Sequence, residues 1–169
     1  YIDILSGITN TPIEVHLMVK DVKKYIDIFI PNNPTKIIFH AKALKNSEEV
    51  FKMIEYIKDN NIQVGLALNP EDSIDSIKEF ISKIHQVLVM TVNPGQGGQT
   101  LIPECIKKAQ ELKEYLDSQN LETQIEVDGG VNLQNIKEIA SSGVDIAVAG
   151  TAIVNAVDMN YVIYTMHQA

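Results

Sequence analysis

Residues 92–98, Val92-Asn93-Pro94-Gly95-Gln96-Gly97-Gly98, set a proline and three glycines at the end of the apolar run QVLVMTV (86–92). Backbone without side chains can approach a ligand closely and turn its N–H groups toward an anion. The arrangement recurs twice: TQIEVDG (123–129) runs into Asp128-Gly129-Gly130, and VDIAVAG (144–150) runs into Gly150-Thr151. Two consecutive late strands that end in glycine match the phosphate site found after the last two strands of a βα barrel. Asp128 adds a carboxylate beside that bare backbone. Upstream, IEVHLMV (13–19) carries His16 and Met18 two residues apart, hence on one face of an extended strand. An imidazole and a carboxylate at the same barrel mouth are donors suited to zinc or another divalent cation.

Such residues need a scaffold that holds strand ends together. Six short β-branched runs read as buried strands: 13–19, 36–40, 62–68, 86–92, 123–129 and 144–150. Between them, residues 21–30, 47–60, 71–84, 103–120 and 133–143 show helical periodicity, with partial helices at YIDILSGI and NYVIYTM. Ser47 marks a helix start, Pro103 sits where a first-turn proline belongs, and Gly143 stands where a helix stops. Continuous apolar strands alternating with helices indicate an α/β fold with a parallel sheet covered on both faces. With no early GxGxxG and with the chemistry at strand ends, the reading favours a (β/α)8 barrel over an open doubly wound sheet. Such a barrel needs eight strands and usually more than about 200 residues. Six strands are visible, so the expectation is one barrel domain over 1–169, incomplete, with its first two βα units outside this sequence and these 169 residues alone inactive.

Composition narrows the partners. The 169 residues carry a net charge of −8, a pI near 4.9 and a mean hydropathy of zero. They read as a soluble globular domain whose surface attracts neither nucleic acid nor an anionic membrane. No apolar run approaches the roughly 18 residues of a membrane span. A single cysteine, Cys105, in a helical pattern is expected to be a buried inert thiol, and a reducing cytoplasm is the simplest address. Lys23-Lys24 and Lys107-Lys108 read as solvated helix faces, and His85 and His167 as surface histidines. His40 stays open between a ligand-side and a structural role.

Taken in order, EVHLMV, FHAKAL, GLALNP, VLVMTVNPGQGGQ, EVDGGV and VAGTAI resemble the ribulose-phosphate 3-epimerase family over essentially the whole chain. The resemblance implies a (β/α)8 barrel that interconverts D-ribulose 5-phosphate and D-xylulose 5-phosphate with a divalent metal, zinc first, then iron, manganese or cobalt. It implies His16 and Asp128 as metal ligands at the substrate, with Asp128 also one of two acid/base carboxylates. Gly95, Gln96, Gly97 and Gly98 correspond to the loop that closes over the sugar phosphate, and Gly129, Gly130, Gly150 and Thr151 to the phosphate-binding segments. Met18 and Met90 correspond to methionines beside the site. A homo-oligomer is also implied, with no interface identified. Three departures stand out: the family's HxDxMDG segment is not in this sequence, its HxE reads His40-Ala41-Lys42, and Gln96 replaces a common phenylalanine. They keep two alternatives in view, a catalytically silent sugar-phosphate-binding barrel and an epimerase for another ketose phosphate such as allulose 6-phosphate. Decarboxylases and aldolases on phosphate-binding barrels are a weaker option.

Overall fold

The computed structural model describes residues 7–95 and 98–169. They gather into two compact units, residues 7–67 with 77–86, and residues 68–76 with 87–95 and 98–169.

The first unit is built on β1 (Glu14–Leu17), α1 (Val22–Phe29), β2 (Lys36–His40), α2 (Ser47–Asp59) and β3 (Gln63–Leu68). β1, β2 and β3 lie side by side in chain order and run parallel, with His16 beside Ile38 and His40 beside Ala67. β2 is buried along its whole length, which is why KIIFH does not alternate with polar residues. Gly65 interrupts β3 because a Cβ there would stand 2.8 Å from Ile38 Cγ1 and 3.3 Å from the Gln86 carbonyl oxygen. The helices start on side-chain caps: Asp21 accepts from the Lys24 amide and Asn46 from the Glu49 amide. Ser47, expected at the start, is the first helical residue, and Asn46 before it is the cap. At the amino ends of the strands, Lys36 is only 6% exposed; its Nζ lies 3.1 Å from Glu14 Oε2 and donates to Gln86 Oε1. The buried ammonium is thereby paired and hydrogen-bonded, which its removal from water requires.

The second unit holds β4 (Gln86–Met90) from Val87 onward, α3 (Pro103–Ser118), β5 (Gln124–Asp128), α4 (Ile136–Ser141), β6 (Ile146–Val148), α5 (Thr151–Val154) and α6 (Met159–His167). β4, β5 and β6 again follow chain order, and Asp128 lies beside Val148 in the parallel β5–β6 pair. Val87, Leu88, Val89, Ile125 and Val127 have no exposed surface, so the strands are the core of this unit. α3 opens with Pro103 in its first turn, and Gly143 follows α4 at φ +84°.

The periodicity over 71–84 predicts a helix, and the structure has instead two short 3-10 turns, Ile74–Ser76 and Ile81–Lys83. Asp72, Ser73 and Ser76 bond locally to backbone and compete with helix propagation: Asp72 accepts from the Asn69 amide, and Ser76 Oγ donates to the Ser73 carbonyl. The apolar periodicity was burial, not helix: Ile74, Ile77, Phe80 and Ile81 are all core. Lys108 is also corrected. Rather than being solvated, its ammonium donates to the carbonyls of Asn69 and Pro70 at 2.8 Å each. Cys105 is buried, and burial pushes its thiol up, so it is inert as expected. His85 and His167 are exposed, although His85 Nδ1 accepts from the Val64 amide at 3.1 Å. No helix among the described residues is long and apolar enough to cross a membrane.

Candidate active site

The chemistry-bearing residues stand at the carboxyl ends of the parallel strands in each unit. In the first unit, His16 is the third residue of β1 and His40 the last of β2. The register that places His16 beside Ile38 puts His40, two residues further on, on the same face. Their Nε2 atoms are 3.0 Å apart, with ring centroids at 5.2 Å and an interplanar angle of 26°. Burial, then the neighbouring His40, lowers the His16 pKa from 6.5 to about 4. At neutral pH its imidazole is therefore uncharged and offers a lone pair. β1 ends at Leu17, and Met18 lies beyond it, 48% exposed. Lys42 lies in the 3-10 turn Ala41–Ala43 directly after β2.

In the second unit, Asp128 ends β5, half-buried, and burial raises its pKa above the ordinary carboxylate value. Its backbone carbonyl accepts from the Thr91 amide at 2.8 Å, and Thr91 Oγ1 donates to the Gly129 carbonyl, so β4 fixes the backbone on both sides of the carboxylate. Gly129 and Gly130 have φ of +125° and +69°. A Cβ on Gly129 would lie 2.4 Å from Val92 Cγ2, and one on Gly130 2.4 Å from the Leu101 amide nitrogen. Asn132 and Asn135 donate their side-chain amides to the Gly130 carbonyl at 3.0 and 2.9 Å, locking the turn.

The loop after β4 carries Gly95 at φ +122° and Gly98 at +74°, and Gln99 Nε2 closes it by donating to the Asn93 carbonyl at 2.7 Å. Gln96 and Gly97 lie outside the described residues. A Cβ on Gly98 would meet Thr151 Cγ2 at 4.0 Å, which brings this loop against the start of α5. Gly150 precedes that helix with open space where a side chain would be. Gly98, Gly150 and Thr151 are therefore neighbours around exposed backbone. Met90 is 2% exposed, so it is core packing at the strand end. Among the described residues, no group of three or more His, Cys, Asp or Glu side chains converges as a metal cluster.

Sequence reasoning singled out His16 but left His40 open, and it missed Thr91. His40 joins His16 on one face only through the register of β1 with β2, which neither segment carries by itself. For Thr91 the signal was a polar residue in an otherwise apolar run, which a buried hydrogen bond explains.

The family profile described as "Ribulose-phosphate 3 epimerase family" matches residues 1–154. The chain belongs to the ribulose-phosphate 3-epimerase family. It is 40% identical over 160 residues to the ribulose-phosphate 3-epimerase of Escherichia coli, covering 95% of this chain and 69% of that one. Against the Helicobacter pylori enzyme of the same name it is 36% identical over 154 residues, 91% and 70% of the two chains. Family membership makes it an isomerase of the epimerase type. Among solved structures, 3-hexulose-6-phosphate synthase from Salmonella typhimurium superposes with a TM-score of 0.75 at 16% identity, covering 99% of this chain and 78% of that one. A tryptophan synthase alpha-subunit from Pyrococcus furiosus gives 0.70 at 12% identity, over 98% and 69%. At such identities the likeness speaks for fold alone, and it is that of TIM-barrel-like α/β proteins built from parallel βα units.

Proposed function

We propose that this epimerase-family protein inverts the carbon next to the ketone of a ketose phosphate, D-ribulose 5-phosphate to D-xylulose 5-phosphate, with a divalent metal. The observation that carries the reading is Asp128: a carboxylate at a strand end, made more basic by burial, and flanked by two glycines that hold backbone where a phosphorylated ligand can approach. Inversion requires a proton to leave on one face and return on the other, and Asp128 is one of the two groups that exchange it through an enediolate. Gly98, Gly129, Gly130, Gly150 and Thr151, with Gly95, Gln96 and Gly97 of the same loop, bind and orient the phosphate. Met18 and Met90 stand near the reacting end.

The donor chemistry fits a divalent cation: His16 is neutral over the physiological range, as a ligand must be, and Asp128 is a carboxylate whose ionisation a nearby positive charge favours. These are the two residues that the family resemblance assigns to the ion, zinc before iron, manganese or cobalt, which would supply charge stabilisation to the developing oxyanion. One residue favours a second reading. Lys42 stands where the family resemblance places an acid, and a silent sugar-phosphate binder or a different ketose phosphate, such as allulose 6-phosphate, would accommodate that change. Cytoplasmic residence and a homo-oligomer complete the reading. The lone cysteine, buried and inert, suits a reducing compartment.

The test is conversion of ribulose 5-phosphate followed in deuterated water, before and after chelation, then with zinc, manganese or iron restored. Turnover with one solvent deuterium at the inverted carbon, lost on chelation and regained with metal, is expected. Binding without turnover assigns a silent binder. Turnover restricted to allulose 6-phosphate reassigns the substrate, and full activity after chelation removes the metal.

A further inference from the structure

We propose that Thr91 is a positioning residue for the phosphate end of the substrate: its buried hydroxyl anchors the Gly129 carbonyl and so turns the Gly130 N–H outward, toward an anion. The inference rests on the reading of the Asp128-Gly129-Gly130 turn as part of a sugar-phosphate site, and it adds a side chain to a site otherwise built from glycine backbone.

β4 ends at Met90, and the chain continues into Thr91, which has no exposed surface. Valine would fill nearly the same space in the run QVLVMTV, so the hydroxyl is what this position adds. A hydroxyl removed from water needs a partner, and this one donates to the Gly129 carbonyl at 2.5 Å. The Thr91 amide donates to the Asp128 carbonyl at 2.8 Å. One residue thus holds two successive peptide units, the first through its backbone and the second through its side chain.

The second unit is the one that needs holding. It lies between two glycines, at φ +125° and +69°, where no Cβ on either side restricts its rotation. In a planar trans peptide the carbonyl oxygen and the following N–H point in opposite directions. With the Gly129 oxygen drawn to Thr91, the Gly130 N–H faces away from Thr91. Among the described residues nothing accepts from that N–H, and Gly130 is only half-buried, so the turn presents it as a free donor. The next carbonyl, that of Gly130, accepts from Asn132 and Asn135 at 3.0 and 2.9 Å, which pins the far side of the same turn.

Thr91→Val removes the hydroxyl and keeps the amide that holds Asp128, so it separates the two peptide units. Inorganic phosphate is the probe, read at the Gly130 amide by proton–nitrogen NMR. In the wild type, phosphate is expected to move that resonance saturably. In Thr91→Val, phosphate binding weakens about 5- to 10-fold, the effect of losing one aligned hydrogen bond. The loss in turnover of ribulose 5-phosphate falls on KM rather than kcat, and Thr91→Ser, which keeps the hydroxyl, restores both affinities. If Thr91→Val does not fold, Thr91→Cys, a weak donor of similar size, takes its place with the same expected direction. A Gly130 resonance indifferent to phosphate in the wild type, unchanged phosphate affinity in the folded variant, or a fall in kcat with KM unchanged overturns the proposal. A phosphate response at Gly130, weakened in Thr91→Val, in a protein with no epimerase activity would sustain the positioning role while refuting the proposed reaction.

Discussion

Asp128 is half-buried at the end of β5, where losing contact with water makes ionisation costly, and a base must be ionised to act. The sign follows directly. Its folded pKa lies above its unfolded value, so the stability it contributes is complete below the unfolded value and is lost as pH rises through the folded one. At neutral pH the ionised side chain therefore works against folding. Asp128→Asn is expected to raise the melting temperature at pH 7.5, with the gain vanishing near pH 3, while turnover falls about 100- to 10,000-fold. Calorimetry at the two pH values checks the first part; equal melting temperatures at pH 7.5 would show that burial is not the cause. His16 behaves oppositely with acid. Its folded pKa of about 4 lies below the unfolded 6.5, so stability is full above pH 6.5 and declines as pH falls toward 4. In His16→Gln that part of the acid slope in urea midpoints is expected to flatten.

Two glycines in different backbone conformations make separable predictions at the scale of the element. Gly130 is held at φ +69° with Leu101 nitrogen and Gln99 oxygen where a Cβ would go, so Gly130→Ala must push the 98–101 backbone aside. We expect it to lower stability by about 1–3 kcal/mol, the range for strained backbone sites, and to weaken phosphate binding as well. Gly150 has φ −90° and open space in place of a side chain. Gly150→Ala should leave the urea midpoint unchanged yet raise KM for the sugar phosphate, since only a ligand would meet the new methyl. Unchanged KM in a folded Gly150→Ala would remove Gly150 from the phosphate site. This contrast also shows what the sequence could tell. The strands were legible because burial on both faces writes itself as apolar runs such as KIIFH and QVLVM, and Asp128-Gly129-Gly130 was legible because positive φ beside a carboxylate leaves few residue choices. The 71–84 segment was not, since spacing of three and four residues serves packed 3-10 turns as well as a helix when Asp72 and Ser73 capture the backbone. Nor was the His16–His40 bond, which depends on the register between two strands, and register is a property of pairing that no single segment contains.

Across the whole molecule the charge distribution poses a problem for an anionic substrate. Acidic residues outnumber basic ones 22 to 14, and several of the lysines are spoken for. Lys36 is buried against Glu14, Lys108 bonds to carbonyls, and Lys23, Lys52 and Lys113 pair with Asp27, Glu48 and Asp117 one helical turn away. The field that a sugar phosphate meets at a distance is therefore repulsive, whereas the groups proposed to bind it are backbone amides, whose reach is short. Salt shortens the distant term far more than the near one, because the screening length falls from about 30 Å at 0.01 M to about 8 Å at 0.15 M. It follows that kcat/KM should rise as ionic strength increases over that range, with kcat unchanged because the bound complex is the same. A fall in kcat/KM would mean that a local cationic lure outweighs the net charge. Lys42, in the turn after β2, is the residue to test for it: Lys42→Glu would then reverse the salt dependence, so that kcat/KM rises with salt, and the departure from the family's acid at this position would be explained as a device for capturing phosphate.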